Sequence, residues 1–220
     1  MFPSIRKASP PNIRFSLNPG SPSTNSPTRS ANSSSYAIGG LSPPVPRGAA
    51  KRRPLSSSSV IASVCTTAGQ RLEALTVWRA ARAASGGPPS QSRLTRVREK
   101  LADDTACLLV GREGDRVIAM ALAEPYREQH GAGAIRNHAG HVSMVFVDPE
   151  HWGRGIGGRL LDALHPEMAA RSWMSSSLWT RATNERARRL YESRRYRETG
   201  DTQYLRRNDE ILRYELQLDD

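Results

Sequence analysis

The stretch HVSMVFVDPEHWGRGIGGRLLDAL, residues 141–164, restricts the fold of this chain more than any other. His141 to Val147 is apolar on both faces, which predicts a strand central in its sheet. Pro149 stops that strand, because proline brings no N–H to a ladder. A glycine-rich turn follows, and residues 155–170 read as a helix with Ile156, Leu160, Leu161, Leu164 and Met168 turned inward. A buried strand that feeds a helix with an apolar stripe needs a layered architecture, with that helix packed back onto the sheet.

The flanking sequence supplies the other layers. QRLEALTVWRAARAA places Leu72, Leu75, Val77, Trp78 and Ala81 at helical spacing before Gly86, Gly87 and two prolines end the helix. SRLTRVREKLADD predicts a second helix with Leu94, Val97 and Leu101 on one face. Ala106–Val110 and Val117–Ala123 are apolar runs joined by GREGD, an antiparallel hairpin. SSLWTRATN reads as a strand, and Asn184 as the N-cap of a helix carrying Ala187, Leu190 and Tyr191 on one face. TQYLRRNDEILRYELQL reads as two strands about an Asn208/Asp209 turn, with Leu212, Tyr214, Leu216 and Leu218 on one side. The expected order is α α β β β α β α β β.

Charge divides the chain in two. No acidic residue precedes Glu73, whereas the same region holds nine Arg and Lys residues, so +9 of the net charge of +11 lies in the first third. The remaining 148 residues carry 23 basic and 21 acidic side chains, which argues against nucleic acid as a partner of the folded part. Residues 1–59, rich in Ser and Pro and poor in large apolar side chains, are expected to form a disordered basic tail. Three accounts of it stay open: a solvated tail, an organelle-targeting segment, or an upstream extension of the reading frame. No run approaches 18 apolar residues, so no membrane span and a cytoplasmic location are expected. Cys65 and Cys107 lack metal-ligand spacing and the five His are scattered, so no metal is expected.

Gly153, Gly155 and Gly158 formally satisfy G-x-G-x-x-G. A dinucleotide fold runs its strand directly into the first glycine and places an acid on the next strand. Here Asp148–Trp152 intervene, and SLWTRAT has no acid. A P-loop needs Gly-Lys-Ser/Thr where this chain has Gly-Arg-Leu.

From about residue 70 to its end the chain resembles the GNAT acetyltransferase superfamily, on VSMVFVDPEHWGRGIGGRLLDAL and ATNERARRLYESRRY in the family's order. The resemblance implies a mixed α/β (α+β) fold, its central sheet mostly antiparallel and flanked by helices, in a domain covering residues 68–220. It implies acetyl-CoA as cosubstrate, held by its pyrophosphate at Arg/Gln-x-x-Gly-x-Gly/Ala, which falls here on Trp152 to Gly157. Gly153, Arg154, Gly155, Ile156, Gly157 and Gly158 are then cofactor-binding, through open amides at a helix N-terminus. Trp152 replaces the family's Arg or Gln, removing one polar contact, and Arg195 replaces a glycine before Tyr196.

The resemblance also assigns Val145, Phe146 and Val147 to backbone pairing with the pantetheine arm, with an N–H donated to the thioester oxygen. Asn184 corresponds to a position touching the CoA arm, and Tyr191 to the tyrosine that protonates the departing thiolate. The implied reaction is acetyl transfer to a primary amine of a small molecule or protein, without a covalent enzyme intermediate. Glu124 and His141 are candidates for the base, Glu124 the first choice. The alternative is an inactive CoA-binding module working through its basic tail. Homodimer and monomer are both compatible with the family.

Overall fold

The computed structural model describes residues 60–205 and 209–218. The expected tail, residues 1–59, and Asn208 of the expected turn lie outside them. Local chemistry starts each element. Helix α1 (Ala68–Gly86) opens on a reciprocal capping box: the Gln70 amide donates to Thr67 Oγ1 at 3.2 Å and the Thr67 amide to Gln70 Oε1 at 3.3 Å. Gly87 (φ 89°) ends it, its N–H donating to the Ala83 carbonyl. Ser90 caps α2 (Gln91–Ala102). The hairpin β2 (Cys107–Glu113) and β3 (Arg116–Arg127) turns through Gly114 at φ 61° and Asp115. The short α3 (Glu128–Gly131) leads into β4 (Ile135–Val147). Then come α4 (Ile156–Ala169), β5 (Ser175–Arg181), α5 (Glu185–Glu192), β6 (Arg197–Tyr204) and β7 (Glu210–Gln217).

A strand that the sequence reading left out, β1 (Ile61–Val64), pairs with β2, so the sheet begins upstream of residue 68. Its four residues follow a serine run and alternate only weakly in burial, as suits an edge strand. The seven strands lie in the order β1-β2-β3-β4-β5-β7-β6. All pairs are antiparallel except β4 with β5, which α4 connects as a crossover. β4 is therefore central, and it starts six positions before His141, in a polar segment (IRNHAG) with no apolar alternation.

Two cores cover the two faces of the sheet. On one, α1 and α2 pack Leu75, Trp78, Val97 and Leu101 against Val110, Met120, Met144 and Phe146. On the other, Ile156, Leu160, Leu161 and Leu164 of α4 and Tyr191 of α5 meet Leu109, Ala121, Leu178 and Tyr214. The expected α4 stripe is buried throughout. Leu72 of α1 is instead 64% exposed. The buried stripe contains Ala74, and two residues along a helix is a turn of about 200°, which carries Leu72 to the solvent side. No helix among the described residues is long and apolar enough to cross a membrane.

Candidate active site

The parallel seam joins Ala139–Val142 of β4 to Ser175–Leu178 of β5 and goes no further. Beyond it, β5 stays paired with β7 through Arg181, while Ser143–Val147 stays paired with β3 alone. A register shift in the β3–β4 ladder falls at Leu122/Ala123, opposite Ser143, where the strand bends. The two central strands diverge, leaving the β4 backbone unpaired on that side. The resulting cleft, of about 370 Å³, is lined by Val145, Phe146 and Val147, by the turn entering α4, and by α5.

That turn is shaped by its own polar contacts. Asp148 donates its N–H to the Ile118 carbonyl (2.8 Å), accepts the Glu150 amide (3.1 Å) and pairs with Arg116 (2.9 Å). Gly153 and Gly155 have φ of 82° and 73°, a backbone that only glycine adopts freely. Gly155 caps α4 without any side-chain acceptor, so the first amides of the helix stay open toward the cleft. A Cβ at Gly157 would lie 3.4 Å from Leu190 and 3.8 Å from Val145, so the missing side chain leaves space over the cleft floor. Helix dipole, open amides and this bare surface together suit an anion.

The structure thus brings together most of the expected site: Val145, Phe146, Val147, Gly153, Gly155, Ile156, Gly157, Gly158, Asn184 and Tyr191 all line the cleft. Asn184 is also the cap of α5, accepting the Ala187 amide at 3.2 Å. Arg154 is a correction: it is absent from the lining, because its guanidinium is held at 2.6 Å by Glu113. Glu113 also accepts from His151 Nε2 (3.3 Å), and Arg154 keeps its carboxyl below the usual range. Asp148, Glu150 and His151 bring ligand atoms within 4.8 Å of one another, a grouping not foreseen from scattered histidines.

Tyr191 is 6% exposed, with the rings of Tyr196 and Tyr214 at 5.9 and 6.4 Å. Burial pushes its hydroxyl up to about 12, so it holds its proton at neutral pH. Trp152 turns inward and donates from its indole N–H to the Val147 carbonyl at 2.7 Å, with the Arg186 guanidinium 5.9 Å above its ring. The sequence reading missed Arg186, Arg189 and Arg194, which line the cleft from α5 and its C-terminal turn. Their signal was available: Arg186 and Arg194 lie four residues to either side of Leu190, Arg189 lies three after Arg186, and an anionic cofactor calls for cations there.

Glu124 does not join Tyr191 in the cleft. It lies on the α1/α2 face of the sheet, paired at 2.5 Å with Lys100 of α2. His141, its cross-strand partner, contacts Ser177 Oγ through Nδ1 at 3.1 Å. Burial pushes the His141 imidazole down to about 4, so it is neutral at pH 7. Because its unfolded pKa is about 6.5, the unfolded chain binds the extra proton between pH 6.5 and 4. The stabilisation from a neutral His141 is thus complete above pH 6.5 and is lost as pH falls toward 4. The melting temperature should fall over that interval, and His141→Gln should flatten the fall; an unchanged pH profile in the variant would refute the assignment.

Comparison with known proteins follows the same lines. The family model described as the acetyltransferase (GNAT) family matches residues 73–195. No curated protein matches the chain. Among solved structures, the ribosomal-protein-S18-alanine N-acetyltransferase of Escherichia coli is 17% identical with a TM-score of 0.57, covering 73% of this chain and 96% of that one. An N-acetyltransferase from Staphylococcus aureus Mu50 is 19% identical (TM-score 0.59), covering 74% of this chain and 100% of its own. Salmonella typhimurium yncA, solved with its cofactor acetyl-CoA, is 18% identical (TM-score 0.56), covering 74% and 96%.

Proposed function

The chain belongs to the GNAT acetyltransferase family, and from that premise we propose that it transfers the acetyl group of acetyl-CoA to a primary amine by direct attack. One observation carries the reading. The unpaired β4 segment, the glycine-capped start of α4 and the hydroxyl-bearing face of α5 open onto one cleft.

The residues present suit acetyl-CoA. Amides of Ile156, Gly157 and Gly158 would meet the pyrophosphate, with Arg186, Arg189 and Arg194 supplying positive charge beside them. The free β4 edge at Val145–Val147 would pair with the amides of the pantetheine arm. A β4 amide donated to the thioester oxygen would stabilise the negative charge that develops there. When bound, the cosubstrate supplies an acyl carbon activated by its sulfur.

The acceptor nitrogen forms the new C–N bond as the C–S bond breaks, so one amine proton must leave and the departing sulfur must gain one. Tyr191, protonated and facing the cleft, donates the latter. Glu124 and His141 lie on the opposite, α1/α2 face, the side from which an acceptor would reach β4, and Glu124 is the carboxylate best placed to take the amine proton. The products are an amide and free CoA thiol.

Thiol release from acetyl-CoA should depend on an added primary amine and match amide formation one to one. Release without any amine, or none with a broad amine panel while acetyl-CoA still binds, would refute acetyl transfer.

A further inference from the structure

Three arginines outside the cofactor cleft, on α1, α2 and β5, have a single carboxylate partner between them among the described residues. Arg112, Arg116, Arg154, Arg188, Arg194 and Arg213 each hold an acidic partner. Arg82 of α1 and Arg93 of α2 form no ion pair among the described residues, and Arg181 at the end of β5 reaches only Asp209, at 3.4 Å. All three are partly buried. The Nε atoms of Arg82 and Arg181 are enclosed and find no hydrogen-bond acceptor. The three guanidinium groups also feel one another. Burial lowers the Arg82 pKa to about 10, with Arg93 and Arg181 lowering it further, and Arg93 is lowered by burial and then by Arg181 and Arg96. Arg82 therefore remains charged at neutral pH.

Strand alternation fixes the side on which they stand. Leu178 belongs to the α4/α5 core, so Ser177 and Arg181 point to the α1/α2 face, where Ser177 meets His141. Arg82 lies on α1 between Ala81 and Ser85, which line the cleft from that face. The cluster therefore stands on the α1/α2 side of the sheet, with Arg82 flanked by residues that line the cleft. Desolvated like charges are unfavourable to hold together, and a ligand anion offsets their charge.

Resting on the acetyl-transfer reading, we propose that the acceptor is a primary amine whose own molecule carries a carboxylate or phosphate, and that Arg82, Arg93 and Arg181 bind that anion. The same cluster repels cationic acceptors such as polyamines or lysine-rich segments.

The full chain, saturated with acetyl-CoA, would be assayed with an aspartyl dipeptide, O-phosphoethanolamine, benzylamine and spermidine. The dipeptide and the phosphate ester separate the two anion sources. At least one of them should show a KM about tenfold or more below that of benzylamine, in keeping with charge-assisted hydrogen bonds to its anion. In the double variant R82Q/R181Q this preference should fall about tenfold, while the melting temperature stays level or rises because repulsion is relieved. If none of the four turns over, calorimetry on the CoA-loaded protein replaces kinetics: binding of an anionic amine, weakened in the variant, supports the assignment. Preference for spermidine, an unchanged preference in a folded variant, or no binding of either anionic amine would overturn it. Failure of acetyl transfer itself is read separately, as absence of stabilisation by acetyl-CoA.

Discussion

Replacing Gly157 with valine should abolish the rise in melting temperature that acetyl-CoA produces in the unaltered protein. Ligand at a hundredfold excess over its dissociation constant stabilises a folded chain by about 2.7 kcal/mol, so the effect removed is large. Four glycines of the turn could be altered, and only this one separates binding from folding; Gly153, at φ 82°, would be strained by any side chain. Gly155 has a φ of 73°, where any side chain strains the backbone, and a Cβ at Gly158 would collide with the Arg194 guanidinium. Gly157 is helical with φ in the ordinary range, and its nearest neighbours would be at 3.4 to 4.0 Å from a Cβ. Valine there keeps the helix and places its branches over Leu190 and Val145, in the space assigned to the pyrophosphate. NADH should not stabilise the unaltered protein. A folded Gly157→Val chain with a normal acetyl-CoA shift would refute the phosphate site, and stabilisation by NADH alone would restore the dinucleotide reading.

Tyr191→Phe should lower turnover about 10- to 100-fold at saturating acetyl-CoA while leaving the melting temperature and acetyl-CoA affinity close to those of the parent. General-acid assistance is worth about 100- to 10,000-fold in general, and a thiolate departs well enough to put the loss at or below the low end. The ring keeps its contacts with Tyr196 and Tyr214 in the phenylalanine variant, and burial is the one influence on the hydroxyl's proton. A residue that served packing alone would leave turnover unchanged and register any deficit in stability. Wild-type turnover in the variant would hand protonation of the leaving group to solvent.

Much of this architecture was legible in the residues. The double-sided apolarity of Val142–Val147 placed β4 at the centre of the sheet, and the stripe Ile156, Leu160, Leu161, Leu164, Met168 oriented α4 over it. What escaped notice had little apolar content to betray it. Residues 135–138 extend β4 through exposed positions, and His138 sits there at φ 58°. At the site, backbone features followed the glycine pattern, although the left-handed residues prove to be Gly153 and Gly155 and not Gly157. Long side chains were less readable. Arg154 was read as one of the cofactor-binding residues, and its guanidinium instead binds Glu113, forty-one residues away in sequence. Arg82, Arg93 and Arg181 come together only because α1, α2 and β5 fold side by side. A charged side chain of four or five rotatable bonds finds its partner in three dimensions, and no local period encodes that choice.

The parallel seam between β4 and β5 is four residue pairs long, against seven between β5 and β7. Mechanically the sheet is two stiff plates, β1–β4 and β5–β7, sharing a short hinge line at one end and standing apart at the other. Anything seated in the cleft touches β4 on one side and α5, the helix that follows β5, on the other, so its grip works at the far end of a lever whose fulcrum is Ala139–Val142. A ligand there acts as a brace: it need not bind tightly to each plate to stiffen the whole molecule, because a small closing force at the open end resists every opening motion about the hinge.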